Sequence, residues 1–450
     1  MVDDMGWTDL ECYGSDLHET PNIDRLAEEG MRFTNAYSAA AICTPTRAAL
    51  MTGKHPARLG MTIWHEYSGE PRPGIHERLA GPFTESNLPL DEYTIAEALR
   101  DEGYYTAHVG KWHLGNAVHY PEAHGFNINI GGTMWGMPFT YWYPFSGWRE
   151  TDNEFRYVPG LENPAGGNKG SYLTDRLTDE AIKIIEARKD GPLFMHLSYY
   201  SPHVPVEGKP GFTRYFEEKI RDGMIHRNAE YAAMIASIDE NAGRIMNVLQ
   251  KEGIEDNTIV FFYSDNGGLD SPRVNVNNNY PLRSGKGSLY EGGIRVPLIV
   301  KWPGRTSPHT LNSLPVTTMD FYPTILEMTN TAGDESHNIN IDGVSLVPVL
   351  TGQAKSLGRE KLFWHYPHYY PDATTPVSAM RKGDWKLLHY FEDDSIELYN
   401  LADDQGETDD LAGQLPELKT RLYDMLQIWR REINAQFPSF NPDFEPELWH

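Results

Sequence analysis

Four oxygen-donor side chains stand in two glycine-flanked pairs far apart in the sequence, Asp3 and Asp4 in VDDMG, and Asp265 and Asn266 in SDNGG. Carboxylate and amide oxygens, with no imidazole or thiolate among them, suit a hard cation, Ca²⁺ ahead of Mg²⁺, over zinc. Either pair alone also reads as a turn or a helix cap. A second group is cationic: Arg47, Lys111, His113, His203 and Lys286 lie in predicted turns beside glycine or proline. Singly these are ordinary solvated charges or loop histidines. Gathered around a metal they would line a pocket for a tetrahedral oxyanion in transfer, as a sulfate or phosphate ester requires. Cys43, in CTPTR, is harder to place. A thiol nucleophile needs a base to form thiolate, and its sulfuryl adduct would hydrolyse slowly. A structural cysteine does not need Pro two residues on and Arg four residues on. Neither conventional role explains the spacing.

Three stretches must position these residues. Each pairs an amphipathic helix with an apolar run that ends in candidate residues: TIAEALRDEG before YYTAHVGKWHLG, YLTDRLTDEAIKIIEARKDG before PLFMHLSYYSPH, and NAEYAAMIASIDENAGRIMNVLQKEG before TIVFFYSDNGG. In the last helix Tyr231, Ile235, Ile238, Ala242, Ile245 and Leu249 form one stripe. Nearly continuous apolar strands alternating with helices predict an α/β fold with a doubly wound, mainly parallel sheet. Ligands of such sheets bind past the strands' C-terminal ends, where one crevice would collect all the candidates. After about residue 344 the texture changes to short β-type runs, KLFWHYPHYY, VSAMRKGDWKLLHYF and SIELYNL, then an amphipathic helix, LPELKTRLYDMLQIWRREI. This predicts a catalytic domain over 1–344 and a smaller α+β domain, short sheet plus helix, over 345–450 that helps close the cleft. Residues 151–170, rich in Asn, Gly and Pro, read as a long surface loop.

Composition narrows the partners. With 39 Lys and Arg against 64 Asp and Glu, the net charge of −25 argues against nucleic acid or an anionic membrane surface. No apolar run approaches a membrane span, and nothing at the start resembles a signal peptide. The two cysteines form no disulfide framework, and Cys12 reads as a buried or inert thiol.

CTPTRAALMTGKHPARLG resembles the signature of the formylglycine-dependent sulfatases, Cys/Ser-x-Pro-x-Arg followed by Leu-x-Thr-Gly-Lys/Arg. The resemblance continues in order through VDDMGWTDLECYG, TPNIDRLAEEGMRFTNAY, GYYTAHVGKWHLG, SPHVP, SDNGG, GKGSLYEGGIRVP and RKGDWKLL, nearly the whole chain, nearest the arylsulfatase A and N-acetylgalactosamine sulfatase branch. It implies an alkaline-phosphatase-like fold and a sulfuric ester hydrolase. It also implies oxidation of Cys43 to formylglycine by a formylglycine-generating enzyme, so that CTPTR serves as recognition sequence and active-site turn together. By the resemblance Asp3, Asp4, Asp265 and Asn266 would hold Ca²⁺ with the modified Cys43. Arg47 and Lys111 would stabilise the hydrated aldehyde and the sulfate oxygens, and His113 would take a proton from the hydrate. His203 and Lys286 would bind the sulfate and bridging oxygen, with His203 as the acid for the leaving alcohol. Cys43→Ala, Asp265→Ala and His113→Ala should each lose activity without loss of fold. Members of the family carry an apolar strand before the DDMG ligands, whereas only Met1 and Val2 precede Asp3 here. The expectation is unpaired ladder groups on the neighbouring strands and a metal site at a frayed terminus. The resemblance also implies a periplasmic or extracellular location.

Seven aromatics in MWGMPFTYWYPFSGW, including Trp135 and Trp142, together with Trp64, His65, His365 and His368, suggest a platform for a sulfated saccharide. A packed interdomain seam is the competing account, and for His365 and His368 structural hydrogen bonding is the favoured role. Two other functions stay open: a phosphomonoester or phosphonate monoester hydrolase on the same fold, and a non-catalytic sulfated-glycan-binding protein.

Overall fold

The computed structural model describes residues 1–151, 153–161, 170–271 and 276–448. Its central strands are β1 (Met31–Phe33), β2 (Tyr105–Gly110), β3 (Ile128–Ile130), β4 (Leu193–Ser198), β5 (Val260–Tyr263), β6 (Leu298–Lys301) and β7 (Thr310–Asn312). β2 pairs in parallel with β3 and β4, and β1 with β7, while β6 runs antiparallel to β5 and β1. Residues 1–3 lie between β4 and β5 and join the two groups into one sheet. The Met1 amine donates to Leu197 O at 2.9 Å and Met1 O accepts from Tyr199 N at 3.0 Å. On the other side Val2 N donates to Tyr263 O at 2.9 Å and Val2 O accepts from Asp265 N at 3.2 Å. The start of the chain, which carries Asp3 and Asp4, is therefore buried and laddered on both edges, not frayed. Below Met1 the slot between β4 and β5 continues as a cavity of about 610 Å³, lined by Leu193, Met195, Val260 and Phe262 among others.

Helices cover both faces. On one lie α1 (Pro21–Glu29) and the longer helices Leu173–Arg188 and Ala229–Lys251; on the other lie α2 (Cys43–Thr52) and α3 (Ile95–Asp101). Burial on both faces explains why the strands read as unbroken apolar runs. The expected stripe of Ala229–Lys251 faces this core: Tyr231, Ile235, Ile238 and Leu249 are buried, with Ala242 and Ile245 packed at its edge. α3 starts at a capping box, in which Thr94 Oγ1 accepts from Glu97 N while Thr94 N donates to Glu97 Oε2. β2 ends at Gly110, with φ +105° and a backbone so close to β4 that a Cβ would sit 1.8 Å from Ser198 O. Gly110→Ala should therefore lower the thermal midpoint by at least several degrees and weaken activity through displacement of Lys111. An unchanged melt and unchanged turnover would contradict this.

After the central sheet come β8 (Lys361–Tyr366), β9 (Val377–Lys382), β10 (Trp385–Tyr390) and β11 (Ile396–Asn400), an antiparallel meander backed by a helix, Pro416–Glu432. VSAMRKGDWKLLHYF is two strands rather than one, because Gly383 turns the chain at φ +60°. The meander meets the larger unit through Trp364, Tyr366 and Val377 packed on Ile42 and Leu289. At the same seam, buried Lys386 lies 2.9 Å from Glu291 and 2.8 Å from Glu407. Within 151–170, Glu154–Tyr157 is not loop but a strand paired with Ser146–Arg149; 152 and 162–169 lie outside the described residues. Among the described residues no helix is long and apolar enough to cross a membrane.

Candidate active site

Cys43 is the first residue of α2, so CTPTR forms the opening turn of a helix instead of the expected turn. Thr46 secures it, with Oγ1 accepting from Ala40 N and donating to Ala40 O. A four-residue spacing on a helix puts Cys43 and Arg47 on one face, which accounts for the motif's length. Backbone N–H groups at this end favour a bound anion.

The distant pairs meet beneath Cys43. Its Sγ lies 3.5 Å from Asp3 Oδ1 and 4.0 Å from Asp4 Oδ1. Asp4 N donates to Asp265 Oδ1 at 3.1 Å, and Asn266 Nδ2 to Asp4 Oδ1 at 2.7 Å. Parallel placement of residues 1–3 beside β5 makes this possible, since Val2 bridges Ser264 and both acidic pairs leave the sheet at the same edge. The cations pair with them. Lys111 Nζ is 2.7 Å from Asp3 Oδ2, Lys286 Nζ is 2.8 Å from Asp4 Oδ2, and Arg47 clasps Asp265 Oδ2 through Nε and Nη2 at 2.9 and 2.8 Å. Arg47 Nη1 is held further by Lys111 O and Ser198 Oγ.

Burial and the neighbouring Asp265 and Asp4 carboxylates push Asp3 up to about 8, despite Lys111 and Arg47. For Asp4, burial is outweighed by His203, Lys286 and Lys111, which hold it well below the carboxylate range. Three converging carboxylates of which one resists ionisation, beside a buried Asn266 Oδ1 with no hydrogen-bond partner among the described residues, fit a cation-binding pocket. The all-oxygen donors fit a hard divalent cation. Burial raises the Cys43 thiol far above its ordinary range, so as an unmodified thiol it supplies no thiolate.

Two histidines flank the cluster. His113, in left-handed backbone at φ +61°, bonds through Nε2 to Glu66 Oε2 at 2.7 Å, and its buried Nδ1 has no hydrogen-bond partner among the described residues. A carboxylate only accepts, so Nε2 carries the proton and Nδ1 is bare. Burial lowers His113 to about 4, which keeps it neutral. Glu66 would be raised by burial, yet His113 and the Gly136 N–H hold it well below the usual range. Sequence reasoning missed Glu66: nothing in WHEYSG marks a partner for a histidine 47 residues on. At His203 the ring bonds through Nδ1 to Val204 O at 2.8 Å and through Nε2 to Lys286 Nζ at 3.0 Å. Because the carbonyl only accepts, His203 Nε2 is the acceptor and the proton there belongs to Lys286.

The residues named for a saccharide separate. Trp64 lies 4.5 Å from Tyr67 and 5.4 Å from Tyr370, whose ring packs on Gly287 beside Lys286, so these aromatics form a rim. His65 belongs to the same rim: its N–H donates to Thr44 Oγ1, and its ring is 6.4 Å from His113. Trp135 is buried under Arg156, and Trp142 packs edge-on against Tyr172. His365 is buried in the meander, its nitrogens spent on Ser378 Oγ and Gln436 O, and His368 bonds to Thr62. His365 serves the smaller unit's own packing, while His368 ties that unit to Thr62 of the larger one. Tyr67 and Tyr370 were not foreseen. Cys12 is half-buried and unpaired with Cys43, and burial raises its thiol.

Residues 1–331 match the family model described as sulfatase, and residues 285–432 match that of the N-sulphoglucosamine sulphohydrolase C-terminal region. A sulfatase of Formosa agariphila is 33% identical over 97% of this chain and 88% of its own length. Arylsulfatase A of Homo sapiens is 30% identical over 96% and 87%. The solved structure of Ps i-CgsB in complex with k-i-k-neocarrahexaose is similar at a TM-score of 0.78 and 28% identity, covering 100% of this chain and 93% of that one.

Proposed function

This chain belongs to the sulfatase family, a sulfuric ester hydrolase of alkaline-phosphatase-like fold, and from that premise we propose that it desulfates a saccharide through a formylglycine made from Cys43. The observation that carries the proposal is the convergence of Cys43 with four oxygen donors and five basic groups at one sheet edge. The aromatic rim of Trp64, Tyr67 and Tyr370 supports a sugar ring as the alcohol part, as does the carrageenan-type oligosaccharide bound by Ps i-CgsB.

Asp3, Asp4, Asp265 and Asn266 would hold Ca²⁺, with Mg²⁺ less suited to so many protein oxygens. Bound there, the ion supplies Lewis-acid polarisation and lowers the pKa of a hydroxyl at position 43. The modified side chain contributes a hydrated aldehyde, one hydroxyl to attack sulfur and a second whose deprotonation expels sulfate by C–O cleavage. A formylglycine-generating enzyme is thus a required partner. Arg47 and Lys111 fix the nucleophile and the sulfate oxygens by charge-assisted hydrogen bonds. His113 takes the proton at Nδ1, the bare nitrogen, with Glu66 stabilising the resulting imidazolium through Nε2. Lys286 and His203 would bind the sulfate and the bridging oxygen, with His203, which lies within proton-transfer reach of Lys286 at Nε2, as the acid for the departing alcohol.

Glu66→Gln should lower kcat about 10- to 100-fold with little change in KM, since Glu66 acts through His113 and touches no substrate. A KM effect alone would remove it from this role.

The deciding experiment is sulfate release from a panel of sulfated mono- and disaccharides by protein co-expressed with a formylglycine-generating enzyme, beside matched aryl sulfate and aryl phosphate esters. Release from one regioisomer, absent in Cys43→Ala, supports the proposal and names the position attacked. Preference for the phosphate or phosphonate ester, or sugar binding without turnover, would replace it.

A further inference from the structure

A second cluster of ligand-type side chains lies behind the metal-ligand loop. Asp9, His18 and His226 are buried, and one ligand atom from each lies within 4.8 Å of the others. Asp9 Oδ1 is 3.6 Å from His226 Nε2 and 3.7 Å from His18 Nδ1. Both Asp9 Oδ1 and His226 Nε2 are buried without a hydrogen-bond partner among the described residues.

The surroundings fix their orientation. Asp9 Oδ2 is fully used, accepting from Gly6 N at 2.6 Å, Tyr231 Oη at 2.7 Å and Asn277 Nδ2 at 3.0 Å, which leaves Oδ1 pointing into the cluster. His226 Nδ1 lies 2.8 Å from Asp16 Oδ1. A proton at Nδ1 satisfies that carboxylate and leaves a bare lone pair at Nε2, aimed at Asp9. Two acceptors facing each other in a dry pocket are costly to leave unpaired. At 3.6 Å they are too far apart for a hydrogen bond even if the ring were doubly protonated. A carboxylate behind the far nitrogen of an imidazole is also the arrangement that fixes the tautomer of a metal-binding histidine.

We propose that Asp9, His18 and His226 form a second metal site, for a zinc-class transition ion, that staples the loop carrying Asp3 and Asp4 to the segment leading into helix Ala229–Lys251. Two imidazoles and one carboxylate suit Zn²⁺, whereas the all-oxygen set at Asp3 and Asp4 suits Ca²⁺, so the two sites select different ions. His18 Nδ1 rests 2.9 Å from Asp9 O, and loading through that atom takes the other tautomer of the neutral ring, with its one proton moved to Nε2. Burial lowers His18 to about 3, so the ring is neutral at physiological pH, as a ligand must be. Tyr231 Oη contacts both Asp9 Oδ2 and Asp4 O, at 2.7 and 3.3 Å, and is the physical link from this site to the first.

The test uses the full chain, stripped of metal and then held in excess Ca²⁺ to saturate the oxygen site. Titration with Zn²⁺ should show one equivalent bound and a raised thermal midpoint, and Co²⁺ should give visible ligand-field absorption typical of a four-coordinate site. His226→Gln and Asp9→Asn should each lose that equivalent and that absorption, while Cys43→Ala keeps both. Should either cluster variant fail to fold, the Co²⁺ spectrum and Zn²⁺ stoichiometry of wild type and Cys43→Ala decide. No uptake by wild type, or uptake unaffected by both cluster variants, would overturn the proposal. None of these readouts depends on catalytic turnover, so failure of the formylglycine reading would leave them intact.

Discussion

Cys43→Ala should abolish sulfate release, a loss of about 10⁴-fold or more in kcat, while the thermal midpoint moves by no more than a few degrees. On the proposed formylglycine mechanism, the size of the activity loss follows from removing the nucleophile itself, since every other group at the site would act on what Cys43 becomes. The small stability change follows from its place in the fold. Cys43 is the first residue of a buried helix, its thiol makes only a 3.5 Å contact with Asp3 and a longer one with Asp4, and alanine suits a helix. Removing a thiol from above two carboxylates leaves no charge unpaired. Circular dichroism melts, sulfate release, and hydrazide labelling of an aldehyde at position 43 in the parent protein check the three parts separately. Turnover retained in Cys43→Ala would discard the formylglycine mechanism even if the substrate proved right.

Asp265→Ala, in contrast, should cost both activity and fold stability. The sequence suggests loss of activity alone, but Asp265 accepts a hydrogen bond from Arg47 Nε and forms an ion pair with Nη2, and both side chains are buried. Its deletion leaves a buried guanidinium with neutral acceptors on Nη1, Lys111 O and Ser198 Oγ, and with Asp3 Oδ1 at 3.7 Å as its remaining carboxylate, which costs about 3–5 kcal/mol. Asp265 is also held below its ordinary range, because Arg47 and Lys111 outweigh its burial. That contribution to stability is present above the unfolded carboxylate value and fades as pH falls through the lower folded value. The midpoint of the parent should thus drop more steeply in acid than that of Asp265→Asn, and Ca²⁺ should protect the parent more than either variant. Equal melting of parent and Asp265→Ala would show that Arg47 finds another partner.

The chemistry was legible early because it depends on residue types. Aspartates beside glycine, lone cations near strand ends and a cysteine four residues before arginine were visible without a structure. The helices were legible through their periodicity, and the stripe of Ala229–Lys251 faces the core as expected. Glu66 was not, because its role rests on a contact with His113 across 47 residues that no local pattern encodes. His365 and His368 shared the aromatic setting of Trp64, yet the fold spent both nitrogens of His365 inside the smaller unit and Nε2 of His368 on Thr62 across the seam.

By itself the sequence determined the α/β class through periodicity and a donor set suited to a hard cation through residue types and spacing, while CTPTR was placed by its resemblance to a family signature. Tertiary structure decided the rest. Insertion of residues 1–3 between β4 and β5 places Asp3 and Asp4 beside Asp265, and backbone pairing of that kind is set by which strands are neighbours, not by the residues paired. The helical start of α2 turned CTPTR from a string into a face. Which nitrogen of each histidine is bare depends on a single acceptor, Glu66 for one and Val204 O for the other, and only the folded chain brings them within reach.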